Sequence, residues 1–367
     1  MLTFSDMGGI EALFSTMEPS DLSGESFTPS LHQDGLVLED VAAEPEDDEE
    51  VAALGDASLG PFTSFVGSEV PMQLVAIDAG VLDLGISRTG FALALKAAVI
   101  SQDRDGTHTV SKIGPRVKFI TPDNRAEILR YVGQKLMNIE MFVEEGDNGE
   151  LHIKAGATEP NQYKDRIRNF LERMLQLEVL QQLKNGLLLV DGALTLRTYN
   201  TPQVFLEELA RQAERGNSDI VGVSKKSRLT VGGVHLSAIL DYDPPDAGFR
   251  QILKVDADGS DADAASRNLG VPYTVRFAPG GYTFRVDVAR RSLLHINEDA
   301  ALQTLYANTQ MTLGYPNLLR LAHIHSAFTK SEIVSLQVQA AHDYGVSMRA
   351  PEDLSVIFAP FRKGFGG

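Results

Sequence analysis

The chain has 367 residues, 43% of them hydrophobic, and carries 50 acidic against 33 basic side chains for a formal net charge of −17. It has no cysteine, which excludes disulfides, thiolate metal centres and cysteine nucleophiles. Any metal must then take oxygen or imidazole donors, the set that suits magnesium or manganese. No apolar run approaches the ~20 residues of a membrane span, and the start, MLTFSDMGGIEALF, lacks the basic and long apolar segments of a secretory signal, so the chain reads as cytoplasmic.

The acidity argues against nucleic acid if it is spread evenly, because a phosphate backbone needs cations. It is uneven: residues 38–56 hold nine acids and no base. Composition predicts residues 1–69 to be an acidic, largely disordered extension, with ordered structure starting near Val70. A main domain is expected over 70–350 and a tail over 351–367. What remains of the main domain is still acidic, so a nucleic-acid surface there has to be a local groove.

In chain order, MQLVAIDAG, between Pro71 and Gly80, reads as a buried strand. Residues 89–101 and 109–120 read as its partners. Apolar spacing predicts helices over 124–145 and 162–184. A strand over NGLLLVDGAL follows, then a helix, PQVFLEELARQAERG, ended by Gly216. SDIVGVSKKSR is a strand running into a basic turn, and 271–288 is a hairpin about PGG. Helices close the chain, notably 299–311 and 316–329. Strands alternating with helices, plus early antiparallel pairs, give a mixed-sheet α/β fold.

Two strands, LVAIDAG and LLLVDGAL, end on an aspartate followed by small residues. In an open α/β sheet, functional groups gather at the carboxyl ends of central strands. If Asp78 and Asp191 meet there they repel each other unless a cation lies between them, which makes a divalent metal site one reading. Turn chemistry is the other, since Asp-Gly after a strand commonly marks a turn. Lys225, Lys226 and Arg228 put three cations into five residues after a strand: a phosphate clamp, or a solvated basic turn. DADGSDAD at 256–263 lacks the glycine position and terminal glutamate of a calcium loop and reads as an acidic surface loop. GVSKKS is not a phosphate-binding P-loop, so the chain does not look like its own motor.

VAIDAG, LLLVDGAL, IVGVSKKSR and YPNLLRLAHIHSA, in that order, resemble the NurA family of nucleases, whose fold is similar to ribonuclease H. The resemblance covers roughly residues 70–345. It implies a ribonuclease H-like mixed sheet flanked by helices and a manganese-dependent DNA nuclease, with magnesium as an alternative metal. It further implies 5′-to-3′ exonuclease and single-strand endonuclease activity, and a homodimer working with a HerA-type hexameric ATPase in the resection of broken DNA ends. Asp78 and Asp191 carry over as metal ligands. A glutamate from the helix before the second aspartate joins them, Glu178 in preference to Glu172, which has Arg168 and Gln176 at helical neighbour positions. His323 falls on the family's Ala-His step as ligand or proton-transfer residue; His325, two residues on, points elsewhere on a helix. The chain departs from the family with Asp78-Ala79-Gly80 in place of Asp-Gly-Ser, and with Ala193 after the second Asp-Gly. Two rival classes remain: an inactive DNA-binding or assembly module on the same shell, and a sugar-kinase-like enzyme suggested by DAGVLDLGISRTG.

Overall fold

The structure is a computed structural model and describes residues 8–18, 26–29, 57–66, 71–87, 90–137, 142–145, 151–153, 160–194, 201–225, 227, 229–253, 269–289, 298–345 and 347–348. The acidic run at 38–56, the loop at 256–263, Lys226, Arg228 and the 351–367 tail lie outside them.

A mixed sheet organises the described residues. Its principal strands are β1 (Gln73–Ser87), β2 (Phe91–Gln102), β3 (His108–Ile120), β4 (Gly186–Asp191), β5 (Asp219–Ser224), β6 (Gly248–Leu253), β7 (Gly270–Arg276) and β8 (Thr283–Ala289). Pairing gives the order β3-β2-β1-β4-β5-β8-β7-β6. The first three are antiparallel; β1, β4 and β5 are parallel; β8, β7 and β6 return antiparallel. Three antiparallel strands followed by two parallel to the first is the ribonuclease H-like arrangement.

Helices α1 (Gly8–Thr16), α2 (Arg125–Lys135), α3 (Pro160–Gln182) and α4 (Gln203–Arg215) cover one face. Their apolar residues share a core with Val75, Ile77 and Ala79 of β1 and with Leu188 and Val190 of β4. Helices α5 (Glu298–Asn308) and α6 (Asn317–Ser326) cover the other face, against Leu74, Ala76, Leu187 and Leu189. Helix α7 (Lys330–Asp343) extends that layer over Leu82, Leu84 and Phe119. The alternation of side chains along β1 and β4 therefore sorts odd from even positions between two cores.

Several expected elements differ. The strand expected to end at Gly80 runs through to Ser87, because β2 pairs with it along its whole length. The second helix stops at Lys135, and Met137 takes a left-handed φ of 64°. The helix expected over 316–329 is α6, and a further helix, α7, follows it, started by a capping box of Thr329 and Glu332. Packing also begins well before Val70. Ile10, Leu13, Phe14 and Met17 of the N-terminal segment are buried in the main core, and short strands at Ser58–Leu59 and Thr63–Ser64 pair with β6. Among the described residues no helix is long and apolar enough to cross a membrane.

Candidate functional site

Strands β1 and β4 pair in parallel from Gln73↔Gly186 to Ala76↔Leu189 and then part. Two residues beyond that last pair, on both strands, stand Asp78 and Asp191. Equal steps from a parallel pair put both on the same face as Ala76 and Leu189, the face covered by α5 and α6. On β4's other side, Asp191 is opposite Val223, and the N–H of Gly192 donates to the Val223 carbonyl at 3.1 Å. Gly192 has φ 127°, a backbone state that a side chain would strain, which is why the strand turns on Asp-Gly.

Asp78 is buried, 6% exposed, and its Oδ2 is held from α6. The Ser326 hydroxyl donates to it at 2.5 Å and His323 Nδ1 lies 2.9 Å away. A carboxylate oxygen only accepts, so His323 carries its proton on Nδ1 and leaves Nε2 as the nitrogen that can accept a proton or ligate. His323 and Ser326 share a helix face because they are three residues apart. The carbonyl of Ser326 sits where a Cβ on residue 80 would be, so Gly80 is what lets α6 settle on β1.

Asp191 is exposed and held from two sides. Lys225 Nζ, just past β5, lies 2.6 Å from its Oδ2, and the Tyr315 hydroxyl donates to Oδ1 at 3.2 Å. Lys225 Nζ also lies 5.3 Å from the centroid of the Tyr315 ring. Burial, then the Asp191 and Asp78 carboxylates, raise the Tyr315 pKa far above the usual phenol range, so it remains a donor. Lys225, the described cation of the basic turn, therefore reaches inward.

Glu178 is on α3, whose Leu175, Val179, Leu180 and Leu183 join the core on the face away from Asp78. Lys164 Nζ lies 3.9 Å from Asp83 at one end of this packing, and Leu183 abuts Gly186 beside Gln73 at the other. Glu172 lies 3.8 Å from Arg168 in a partly buried pair. The structure brings His323 to Asp78 and Lys225 to Asp191. Among the described residues no three His, Asp or Glu side chains are gathered closely enough to hold a metal by themselves.

Three contributors carried no expectation. Ser326 and Tyr315 both lie within or beside the YPNLLRLAHIHSA stretch, where a hydroxyl three residues after His323 was a usable signal. The third, Lys96 of β2, is 7% exposed, and its Nζ donates to Ala327 O at 3.0 Å and Glu332 Oε1 at 2.8 Å, pinning the α6–α7 junction. Cations flank the aspartates on both sides: Lys225 beyond β5, and Lys112 on β3, in the row Asp78–Ala98–Lys112. Burial, then Lys112 and Lys96, lower the His325 pKa, placing that ring within reach of both charges.

Fold and site together define a ribonuclease H-like protein whose acidic centre lies at the parting of its two central parallel strands. The NurA domain family model matches residues 72–327, and the chain belongs to that family of nucleases. The NurA nuclease from Sulfolobus solfataricus is 17% identical, with 77% of this chain and 88% of that one covered at a TM-score of 0.40. A NurA bound to dAMP and manganese is 9% identical, covering 81% and 92% at 0.38. The catalytic domain of human endonuclease V is 13% identical, covering 81% and 96% at 0.35. No curated protein matches.

Proposed function

We propose that this chain is a divalent-metal-dependent deoxyribonuclease with 5′-to-3′ exonuclease and single-strand endonuclease activity. Its setting is the resection of DNA ends, as a homodimer with a HerA-type hexameric ATPase. The observation that carries the reading is the placement of Asp78 and Asp191 at one register step on adjacent parallel strands, with an imidazole and an ammonium beside them. Hard carboxylate oxygens and an imidazole nitrogen suit manganese or magnesium. Asp78 and Asp191 would hold the ion with Glu178 as a further donor, and His323 Nε2 would serve as ligand or as proton-transfer group. A bound ion would activate water and neutralise the phosphate.

The protein's own groups do the rest. Asp78 and Ser326 fix the tautomer and orientation of His323, so that Nε2 can take or return a proton. Lys225, beside Asp191, would meet the phosphate oxygens. Tyr315 remains protonated and holds the other Asp191 oxygen. Lys112 and Lys225 give the acidic molecule a local cationic track on both sides of the centre.

The decisive experiment incubates purified protein with end-labelled single- and double-stranded DNA in manganese, magnesium or EDTA, alone and with the ATPase. Asp78→Asn and Asp191→Asn are the controls. Metal-dependent shortening that both substitutions abolish, with melting temperatures near wild type, supports the reading; turnover in the folded double variant overturns it. A second reading, a DNA-binding or assembly module, is favoured by Lys225 already neutralising Asp191. Binding of DNA without cleavage under every metal, with the ATPase present, would select it.

A further inference from the structure

Two large apolar side chains stand in water beside the aspartates. Leu313 is 83% exposed and Tyr282 72% exposed. Leu313 is the first central residue of the turn joining the strands Met311–Thr312 and Tyr315–Pro316, with φ 53°, and Gly314 follows at φ 79°. Two successive positive φ values make a hairpin turn that suits asparagine or glycine and strains leucine. Leucine there is unfavourable twice, in its backbone and in its exposure, with no packing gained in return.

The placement is what gives the pair meaning. Two residues after Leu313, Tyr315 reaches Asp191. Two residues after Tyr282, Phe284 of β8 packs on the Tyr315 ring with centroids 5.6 Å apart. The turns carrying the two side chains also touch each other: a Cβ on Gly314 would lie 3.6 Å from Ala278 Cβ and 4.0 Å from Tyr282 N. Both supports are fixed. Gly280 N donates to Pro245 O at 2.9 Å, and the Thr312 hydroxyl donates to Asn317 Oδ1 at 3.1 Å.

We propose that Leu313 and Tyr282 form an apolar prong at the edge of the aspartate centre, on which unpaired bases of the substrate strand stack while its phosphate lies at Lys225. This rests on the nuclease reading and adds a basis for selecting single strands. Every base offers a π-face, so an aromatic ring and a rigid aliphatic knob engage it without reading sequence. A paired base keeps its faces stacked in the duplex and cannot use the prong.

The test uses the full chain carrying Asp78→Asn, with single-stranded oligonucleotides bearing 2-aminopurine at successive positions. One or two positions should change fluorescence on binding, and Tyr282→Ala with Leu313→Asn should abolish that change. In the cleaving protein the same pair should raise KM on single strands by about tenfold with kcat within about twofold. Leu313→Asn should melt at or above the wild-type temperature, because asparagine accepts the left-handed backbone, so a loss of base contact is not a loss of fold. An unaltered 2-aminopurine signal and KM in the double variant would overturn the proposal. So would loss of self-association or of ATPase binding alone, which would assign the prong to a protein contact. A protein that cleaves nothing refutes the nuclease reading, while the fluorescence still decides whether bases reach the prong.

Discussion

Gly80→Ala is the smallest change that should unseat the centre without touching a reacting group. An alanine Cβ there collides with the Ser326 carbonyl oxygen and comes within 3.3 Å of the Phe328 ring. The carbonyl cannot rotate away, because Lys96 Nζ holds the next one, Ala327 O, at 3.0 Å, and Ser326 itself is tied to Asp78. The end of α6 must lift from β1. Forcing a methyl group into a packed site costs about 1–3 kcal/mol. If lifting breaks the Ser326–Asp78 bond, a hydrogen bond to a charged group worth about 1.5–3 kcal/mol goes with it. At about 2–4 °C per kcal/mol, the melting temperature should fall by roughly 5–25 °C. Because His323 rides on the same helix turn, a shift near 1 Å should lower turnover by about 100-fold. Thermal melts and single-turnover cleavage of Gly80→Ala, Ser326→Ala and the double variant measure both. The reasoning requires strong non-additivity, since the first substitution already breaks the bond the second removes. Additive losses, or a Gly80→Ala protein with wild-type melting and turnover, would refute it. The same collision excludes a serine at position 80, which accounts for the chain's departure from Asp-Gly-Ser.

Tyr315 tests the other aspartate. Its raised pKa means that the neutral phenol contributes fully below the unfolded value near pH 10, and that this contribution is lost only in more alkaline solution. Tyr315→Phe should therefore slow cleavage without moving the pH–rate profile between about pH 6 and 9, and a shifted profile would show that the phenol titrates. Glu332 has the opposite sign. Burial pushes its pKa up, but hydrogen bonds from Lys96 and Thr329 outweigh that and hold it below 4.5. Its contribution is present above pH 4.5 and is lost as the pH falls through the folded value. Lys96→Met should lower melting at neutral pH and flatten its decline below pH 4.5, as followed by circular dichroism; an unchanged acid slope would contradict the pairing. Removing residues 1–18 should strip Ile10, Leu13, Phe14 and Met17 from the main core and destabilise the protein by at least about 5 kcal/mol in urea melts. A role for the acidic run is better tested by deleting 38–56 alone and titrating the ATPase.

The parts that the sequence revealed are those decided locally. Apolar runs ending in Asp78 and Asp191 mark buried parallel strands, because helices cover both faces of such a sheet. The basic turn after β5 and the Ala-His step were also legible as motifs. Contacts across the chain were not. Ser326, Tyr315 and Lys96 acquire their roles from partners 248, 124 and 236 residues away. Gly80 read as the end of a strand because glycine interrupts patterns, whereas here it is a strand residue under a neighbouring carbonyl.

The same long-range contacts explain how so acidic a molecule can present a site for a polyanion. The two aspartates are the most hostile groups to a phosphate in this region, and neither is left uncompensated: His323 and Ser326 attend to Asp78, Lys225 and Tyr315 to Asp191. Each partner donates a hydrogen bond, so the negative charge is satisfied in place and is not projected into solvent. Lys112 and Lys225 then set the sign of the field along the strand's path at short range, within the ~10 Å over which salt leaves charges effective. The large net charge includes nine acids in the 38–56 run, and charge lying beyond that distance is screened. Raising ionic strength should therefore weaken DNA binding by screening the local cations, whereas deleting 38–56 should strengthen it at low salt and leave it nearly unchanged above about 0.3 M. Fluorescence anisotropy of labelled single strands across a salt series would separate the two effects. Equal gains at every salt concentration would mean that the acidic run occupies the groove itself.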